Sequence, residues 1–141
     1  MSDGTFKRIE QEEGERFGTP AVLLCGYSQA EADAIVGLME RIDCGDHRVL
    51  LCTEKMLEQT LGHALETIEQ TEPVAQDKLP RAMVLSGFSG AQIHKLIDNY
   101  AYAGIRRPIF AAVTPNNLNF TVKELLVDLL KEHRAMTQKQ K

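Results

Sequence analysis

The ten residues 21–30, AVLLCGYSQA, decide the fold, because they place a buried strand, a glycine turn and a helix start in direct succession. Five consecutive apolar residues bounded by Pro20 and Gly26 are typical of a strand covered on both faces, as in a parallel sheet. Ser28 with Glu31 three positions later forms a capping box, which opens a helix. The same arrangement returns at residues 82–91, AMVLSGFSGA.

A gapless alignment of residues 21–53 with residues 82–114 extends this similarity across 33 positions. Six pairs are identical, and all but the first lie at the end of a strand, the start of a helix or the end of the next strand: Ala21/Ala82, Leu24/Leu85, Gly26/Gly87, Ser28/Ser89, Ala30/Ala91 and Thr53/Thr114. An internal repeat predicts two copies of one supersecondary unit that pack against each other. We therefore expect an internally duplicated βαβα unit.

The expected fold class is α/β, with strands at residues 21–25, 48–52, 82–86 and 109–113. Because a strand–helix–strand crossover makes its two strands parallel, we predict a four-stranded, mainly parallel sheet in the order 2-1-3-4, with helices on both faces. The carboxyl ends of the two central strands would then meet at one edge, and ligands of open α/β sheets bind at such a crevice. The alternative is antiparallel pairing of the two halves, which removes the shared crevice.

Capping boxes predict where three helices begin: Ser28 with Glu31, Ser89 with Gln92 and Thr121 with Glu124. A further helix is predicted between Met56 and Ile68 from the spacing of apolar residues. Gly104 is expected to end the helix that Ser89 opens. Residues 115–120 are interpreted as a turn-rich insertion relative to the first copy.

A single α/β domain is expected over residues 19–136, since the chain of 141 residues has an ordinary domain length. Residues 1–18 are charged and aperiodic, which predicts a flexible arm, and residues 137–141 are expected to form a frayed tail. Within the domain the first copy is expected at 19–70, a linker containing Glu and Pro at 71–80, and the second copy at 81–135.

The composition is that of a globular protein, with 43% hydrophobic and 26% charged residues. No apolar run approaches the ~18 residues of a membrane span, and the polar N-terminus lacks a secretory signal. Three cysteines without disulfide-like spacing fit a reducing compartment. We therefore expect a cytoplasmic protein with no membrane contact.

The net charge of −4 is unevenly divided along the chain. Residues 1–80 carry 7 Lys/Arg against 16 Asp/Glu, a net of −9, and residues 81–141 carry 9 against 4, a net of +5. We interpret this asymmetry as attraction between the halves together with solvated tails. Nucleic acid is not an expected partner, because no dense Lys/Arg patch with interleaved aromatic residues is present.

The residues most suited to ligand binding flank the predicted crevice. They are the Gly-aromatic-Ser runs of both copies, Gly26, Tyr27, Ser28, Gly87, Phe88 and Ser89, together with Thr114 and Asn117 in the nearby loop. A glycine between a strand and a helix lets an anion approach the helix N-terminus, but it equally permits a tight turn with positive φ. Neither copy has a complete phosphate-binding motif, so no cofactor is assigned.

Both runs also resemble a nucleophile elbow, with alanine in place of the last glycine. A hydrolase needs in addition a base and an orienting acid, and the sequence places no histidine over Ser89, whose role as a helix cap already explains it. Cys25 is the second candidate nucleophile, because it ends the first strand. Cys44 and His47 form only half of a zinc-like ligand set, so no metal site is expected.

The second copy carries a more specific pattern than the first. Its residues are Leu85-Ser86-Gly87-Phe88, Gly104-Ile105, Pro108 before an apolar strand, and Thr114-x-x-Asn117-x-x-Phe120-Thr121 leading into Glu124-Leu125-Leu126 and Lys131-Glu132-His133. With this pattern, residues 80–133 resemble a short bacterial family, domain of unknown function 3783, in which the aromatic at position 120 is usually Trp. The resemblance supports the fold unit and implies no activity. Asn117 is either the polar centre of a functional cluster or a residue that holds its own loop.

These observations favour a non-catalytic α/β binding or regulatory module that recognises a small anionic ligand or a protein partner at the crevice between its halves. One alternative is a small hydrolase- or transferase-type enzyme that uses Ser89 or Cys25. A second alternative is a structural protein that forms a homodimer.

Overall fold

The computed structural model describes residues 17–44, 47–67 and 79–139, with side chains as far as Arg134. Residues 1–16, most of the expected arm, and residues 71–78, most of the expected linker, lie outside the described residues, as do residues 68–70 at the end of the expected first copy. The strands and α-helices alternate as β1 (Ala21–Cys25), α1 (Gln29–Arg41), β2 (Arg48–Leu51), α2 (Leu61–Leu65), β3 (Ala82–Ser86), α3 (Gly90–Asn99), β4 (Ile109–Ala112) and α4 (Val122–Lys139). Short 3-10 helices lie at Lys55–Glu58, Tyr100–Ala103 and Asn117–Asn119.

The four strands form one mixed sheet in the predicted order β2-β1-β3-β4. β1 pairs with β2 in parallel, and β3 pairs with β4 in parallel, as a crossover helix requires. The two central strands are antiparallel, with Leu23 opposite Val84 and Cys25 opposite Ala82. The prediction of a mainly parallel sheet is therefore wrong. The crossover rule acts within one strand–helix–strand unit, and it does not constrain the direction of one unit relative to the next.

Every residue of β1 and of β3 is buried, because helices cover both faces of the sheet. Val22, Leu24, Met83 and Leu85 pack with α1 and α3 on one face. The alternate residues of the same strands pack with α2 and α4 on the other face. Two apolar layers therefore enclose the central strands, which explains why their sequences are continuously apolar.

All three capping boxes form as predicted. Ser28 Oγ accepts a hydrogen bond from the Glu31 backbone N–H at 3.1 Å, and Glu31 Oε1 accepts from Ser28 N–H at 2.9 Å. The reciprocal bonds also join Ser89 with Gln92 and Thr121 with Glu124. Gly104 follows the 3-10 helix Tyr100–Ala103 in a left-handed conformation with φ of 71°, as expected for a residue that ends a helix.

The helix predicted between Met56 and Ile68 is divided by Thr60. A 3-10 helix ends at Glu58, and Thr60 then opens α2 by accepting a hydrogen bond from His63 N–H. Thr60 also forms an isolated antiparallel bridge with Thr121. Two backbone bonds flank the bridge, Leu61 N to Phe120 O at 2.8 Å and Val122 N to Gln59 O at 2.9 Å.

Residues 115–120 are not an insertion, which corrects the interpretation from sequence. The loop from Thr114 to Thr121 has the same length as the loop from Thr53 to Thr60, and each contains a 3-10 helix. The two loops meet at the bridge between Thr60 and Thr121. The second loop was taken for an insertion because it is rich in turn-forming residues, although the two loops are equally long. The helix that follows continues to Lys139, so the backbone of residues 137–139 in the expected tail is helical.

Candidate functional site

The antiparallel junction divides the predicted ligand-binding residues between the two ends of the sheet. Gly26, Tyr27 and Ser28 follow β1 and lie beside residues 79–81, which precede β3. Gly87, Phe88 and Ser89 follow β3 at the opposite end, beside residues 18–20, which precede β1. Thr114 and Asn117 follow β4 and therefore lie at the Gly87 end. The expected shared crevice does not form, because it requires both carboxyl ends at one edge.

A glycine is required at position 26 because the backbone of residues 79–81 passes close to it. Its φ is 76°, and a Cβ atom at this position would lie 2.9 Å from the carbonyl oxygen of Pro80. Gly87 repeats this environment with φ of 73° and a would-be Cβ 2.8 Å from the Cα of Pro20. In both places the space in front of the glycine is filled by the chain itself, which supports the tight-turn interpretation.

At the Gly26 end, Tyr27 is fully buried within a polar network. Its hydroxyl lies 2.7 Å from that of Tyr100, which in turn donates to the Arg106 carbonyl at 3.0 Å. The guanidinium carbon of Arg81 lies 4.7 Å from the centre of the Tyr27 ring, and Arg81 forms an ion pair with Glu31 at 3.2 Å.

The titration of this network follows from burial and hydrogen bonding. Burial is the main cause that raises the pKa of Tyr27 far above its ordinary value, and the hydrogen bond with Tyr100 raises it further. The backbone N–H of Ser28 is the main cause that lowers the pKa of Glu31, and Arg81 lowers it further, because both stabilise the carboxylate. Tyr27 therefore stays a neutral phenol and Glu31 a paired anion near neutral pH.

At the Gly87 end, Phe88 stacks on a histidine ring and Ser89 caps a helix. Phe88 stacks on the imidazole of His47 with ring centres 3.8 Å apart. His47 Nε2 lies 3.0 Å from the Gly87 carbonyl oxygen, and Gly87 N–H donates to the Phe17 carbonyl at 2.8 Å. Phe88 and Ser89 are both buried. The segment before β1 thus closes over this turn, so residues 17–18 of the expected arm are bound to the domain.

Asn117 uses its side-chain amide to hold its own loop. Its Oδ1 accepts from Thr114 N–H at 2.9 Å, and its Nδ2 donates to the Ala112 carbonyl at 3.0 Å. Thr114 Oγ1 in return accepts from Asn117 N–H at 3.2 Å. These bonds favour the second interpretation of Asn117, in which it stabilises the loop.

Neither candidate nucleophile has the surroundings of one. Ser89 is occupied by its capping box. Cys25 is fully buried. A hydrogen bond with Cys52 is the main cause that raises the pKa of its thiol, and burial raises it further. A nucleophilic cysteine needs a lowered pKa instead. Over the described parts of the chain, no three His, Cys, Asp or Glu side chains converge as metal ligands.

One exposed surface was not predicted from the sequence. The outer side of α4 and Phe120, two residues before the helix, form an open groove of about 350 Å³ lined by Phe120, Lys123, Glu124, Val127, Asp128 and Lys131. We call these six residues the α4 face. Phe120 is 38% exposed and Val127 is 47% exposed, whereas Leu125 and Leu126 on the opposite side of the helix are buried. The sequence did contain an indication, because Val127 falls on the polar side of an amphipathic pattern.

Residues 81–136 match the model of the family described as Domain of unknown function (DUF3783), which confirms the resemblance noted above. No curated protein and no solved structure shows a significant match to the chain. Among the described residues, no helix has the length and apolar character needed to cross a membrane.

Proposed function

We propose that the chain is a non-catalytic protein-binding module whose partner docks on the α4 face. The observation that carries the proposal is the exposure of Phe120 and Val127 on this surface, where the other four residues are charged. Protein interfaces combine apolar contacts with charged and polar ones, and a few large side chains supply most of the binding free energy.

The packing of the helix supports this proposal. Val122, Leu125 and Leu126 are buried against the sheet, and Leu61 N–H and Val122 N–H tie the start of the helix to the loop beside it. A surface held in this way loses little conformational freedom when a partner binds, which favours affinity. The Gly-aromatic-Ser residues offer no comparable surface, because their contacts are with the chain itself. The protein partner is therefore favoured over the small anion.

We infer further that the two halves descend from one duplicated βαβα unit and that the docking surface belongs to the second half. Both units pair their strands with the same offset, Ala21 with Arg48 and Ala82 with Ile109. Their last helices differ, since α2 has 5 residues and α4 has 18. The α4 face also lies inside the segment that matches the family model, residues 81–136.

Site-specific photocrosslinking in cells tests the docking proposal. A benzophenone amino acid is placed at position 127, and at position 36 for comparison, because Val36 is an exposed valine of α1 with 38% exposure. We expect adducts from position 127 and not from position 36, and we expect Phe120→Ser in the same chain to reduce them. Absence of adducts from position 127, or equal adducts from both positions, contradicts the proposal.

A further inference from the structure

Cys25 and Cys52 occupy neighbouring positions in the sheet. β1 and β2 pair in parallel as far as Leu24 opposite Leu51, so the next position of each strand brings the two cysteines side by side. The Cys52 N–H donates to the Leu24 carbonyl oxygen at 2.8 Å, which continues the ladder to this position. We propose that Cys25 and Cys52 form a reversible disulfide bond, so that the pair is an oxidation site inside the fold. The inference does not depend on the proposed function.

Both thiols lie on the same face of the sheet. Side chains alternate between the two faces along a strand, and Cys25 and Cys52 both belong to the apolar layer that packs with α2 and α4. Neighbouring strands are ~4.8 Å apart, within the range of roughly 4.4–6.8 Å that separates the Cα atoms of disulfide-bonded cysteines. The two thiols are already in contact, since they share a hydrogen bond. The bond therefore forms by rotation of the side chains within the existing strand pairing.

The third cysteine shows that the fold, and not the spacing in the sequence, selects this pair. Cys44 belongs to the apolar layer on the opposite face of the sheet. In the sequence, Cys44 and Cys52 are 8 positions apart, whereas Cys25 and Cys52 are 27 positions apart. An unfolded chain closes the shorter loop about sixfold more readily, because the probability of closure falls with the three-halves power of loop length. The folded and unfolded chains are therefore expected to form different disulfides.

The oxidant in this reaction is a small-molecule disulfide such as glutathione disulfide. The thiolate of one cysteine attacks a sulfur of the oxidant, which forms a mixed disulfide and releases one glutathione. The thiolate of the other cysteine then attacks the protein sulfur of the mixed disulfide and releases the second glutathione. Two electrons pass from the protein to the oxidant, and the two thiol protons end on the two glutathione molecules. Excess glutathione reverses both steps.

Oxidation is expected to stabilise the fold. β2 lies at the edge of the described sheet and pairs with β1, so the disulfide adds a covalent link to an edge strand. The link joins residues that are 27 positions apart, and it restricts the unfolded chain more than the folded one. Both thiols are buried, so exchange with glutathione requires transient opening of the structure.

Incubation of the full chain in a glutathione buffer tests the inference. The buffer contains glutathione and glutathione disulfide, with urea just below the unfolding transition, where the fold predominates and opening exposes the thiols. Remaining thiols are alkylated, and peptide mapping by mass spectrometry gives the amount of each pairing. We expect Cys25–Cys52 to exceed Cys44–Cys52 at least about tenfold, since the fold holds the first pair side by side. In urea that unfolds the chain, we expect Cys44–Cys52 to predominate about sixfold.

Alanine variants provide the controls. Cys44→Ala retains the proposed pair and is expected to form the disulfide as the wild type does. Its oxidised form is expected to unfold at a higher urea concentration than its reduced form. Cys25→Ala removes the pair, so its urea unfolding is expected to be the same after both treatments. Circular dichroism checks that each variant is folded.

Three results would each overturn the inference. The first is a folded chain that stays reduced in a buffer that crosslinks the unfolded chain. The second is a predominance of Cys44–Cys52 in the folded chain as well as in the unfolded one. The third is an oxidised Cys44→Ala protein that is no more stable than its reduced form.

Discussion

The hydroxyl group of Tyr27 lies 2.7 Å from the hydroxyl group of Tyr100, and both rings are buried although the residues are 73 positions apart in the chain. Tyr100 donates its own proton to the Arg106 carbonyl oxygen at 3.0 Å. The Tyr100 oxygen is therefore free to accept from Tyr27, and the two bonds form a directed chain. This chain joins the turn after β1 to the segment before β4, so it links the two halves of the fold.

Tyr100→Phe is expected to destabilise the protein more than Tyr27→Phe. Removing the Tyr100 hydroxyl leaves the buried Tyr27 donor without a partner, at a cost of ~1–3 kcal/mol, and also removes the bond to the Arg106 carbonyl. Removing the Tyr27 hydroxyl leaves the bond to Arg106 intact and is expected to cost about 1 kcal/mol. Urea unfolding measures both free energies. Equal costs, or full additivity in the double variant, would contradict the directed chain.

Unfolding free energy is expected to fall at alkaline pH because of the same pair. Burial, above all, raises the pKa of Tyr27 and of Tyr100 in the folded state. The unfolded chain ionises near its ordinary tyrosine pKa of about 10, so above that pH the unfolded state binds fewer protons and is favoured. The stabilisation is complete below about pH 10 and is lost as the pH rises further.

Tyr27→Phe is expected to reduce this alkaline loss, as measured by unfolding at a series of pH values. Tyr102→Phe is the control for removing one phenol, since Tyr102 is 76% exposed. If Tyr102→Phe changes the alkaline profile as much as Tyr27→Phe does, the buried pair is not its origin.

Gly87→Ala is expected to cost considerably more than Gly104→Ala. Both glycines have positive φ, 73° and 71°, so each alanine carries a conformational penalty of about 1–2 kcal/mol. A Cβ at Gly104 meets nothing within 4 Å, whereas a Cβ at Gly87 lies 2.8 Å from the backbone of Pro20. Overpacking adds ~1–3 kcal/mol. The difference between the two unfolding free energies measures this close approach, and a difference near zero would show that the Phe17–Pro20 segment does not lie against Gly87.

The native protein is expected to react slowly with an aromatic disulfide reagent. Cys25, Cys44 and Cys52 are all buried thiols, and burial with the Cys52 hydrogen bond raises the pKa of Cys25. Val127→Cys supplies an exposed thiol in the same chain for comparison, and unfolded protein gives the full reaction. Rapid modification of Cys25 in the folded protein would support the alternative function, an enzyme that uses Cys25 as its nucleophile.

Local patterns predicted the local structure well. The strands Ala21–Cys25 and Ala82–Ser86 have the predicted bounds, and three capping boxes begin helices where they were expected. A run of apolar residues or a capping box involves neighbours in the chain, so its effect is decided within one turn or one strand. The division of the Met56–Ile68 helix was not predicted, because it depends on the bridge between Thr60 and a residue 61 positions away.

The candidate site depended on longer distances and was predicted less well. Gly26 and Gly87 were correctly identified as turn positions, but their separation at opposite ends of the sheet follows from the direction of β3 relative to β1. The four strands, the helix caps and the parallel pairing within each half followed from periodicity and from short crossovers in the sequence. The predicted strand order is also correct, although no local pattern requires β1 and β3 to be neighbours. The tertiary structure alone decided the antiparallel junction, the burial of the Gly-aromatic-Ser residues and the exposure of the α4 face. Each of these is set by which distant surfaces are packed together, and hydrophobic burial has no direction that a local sequence pattern can encode.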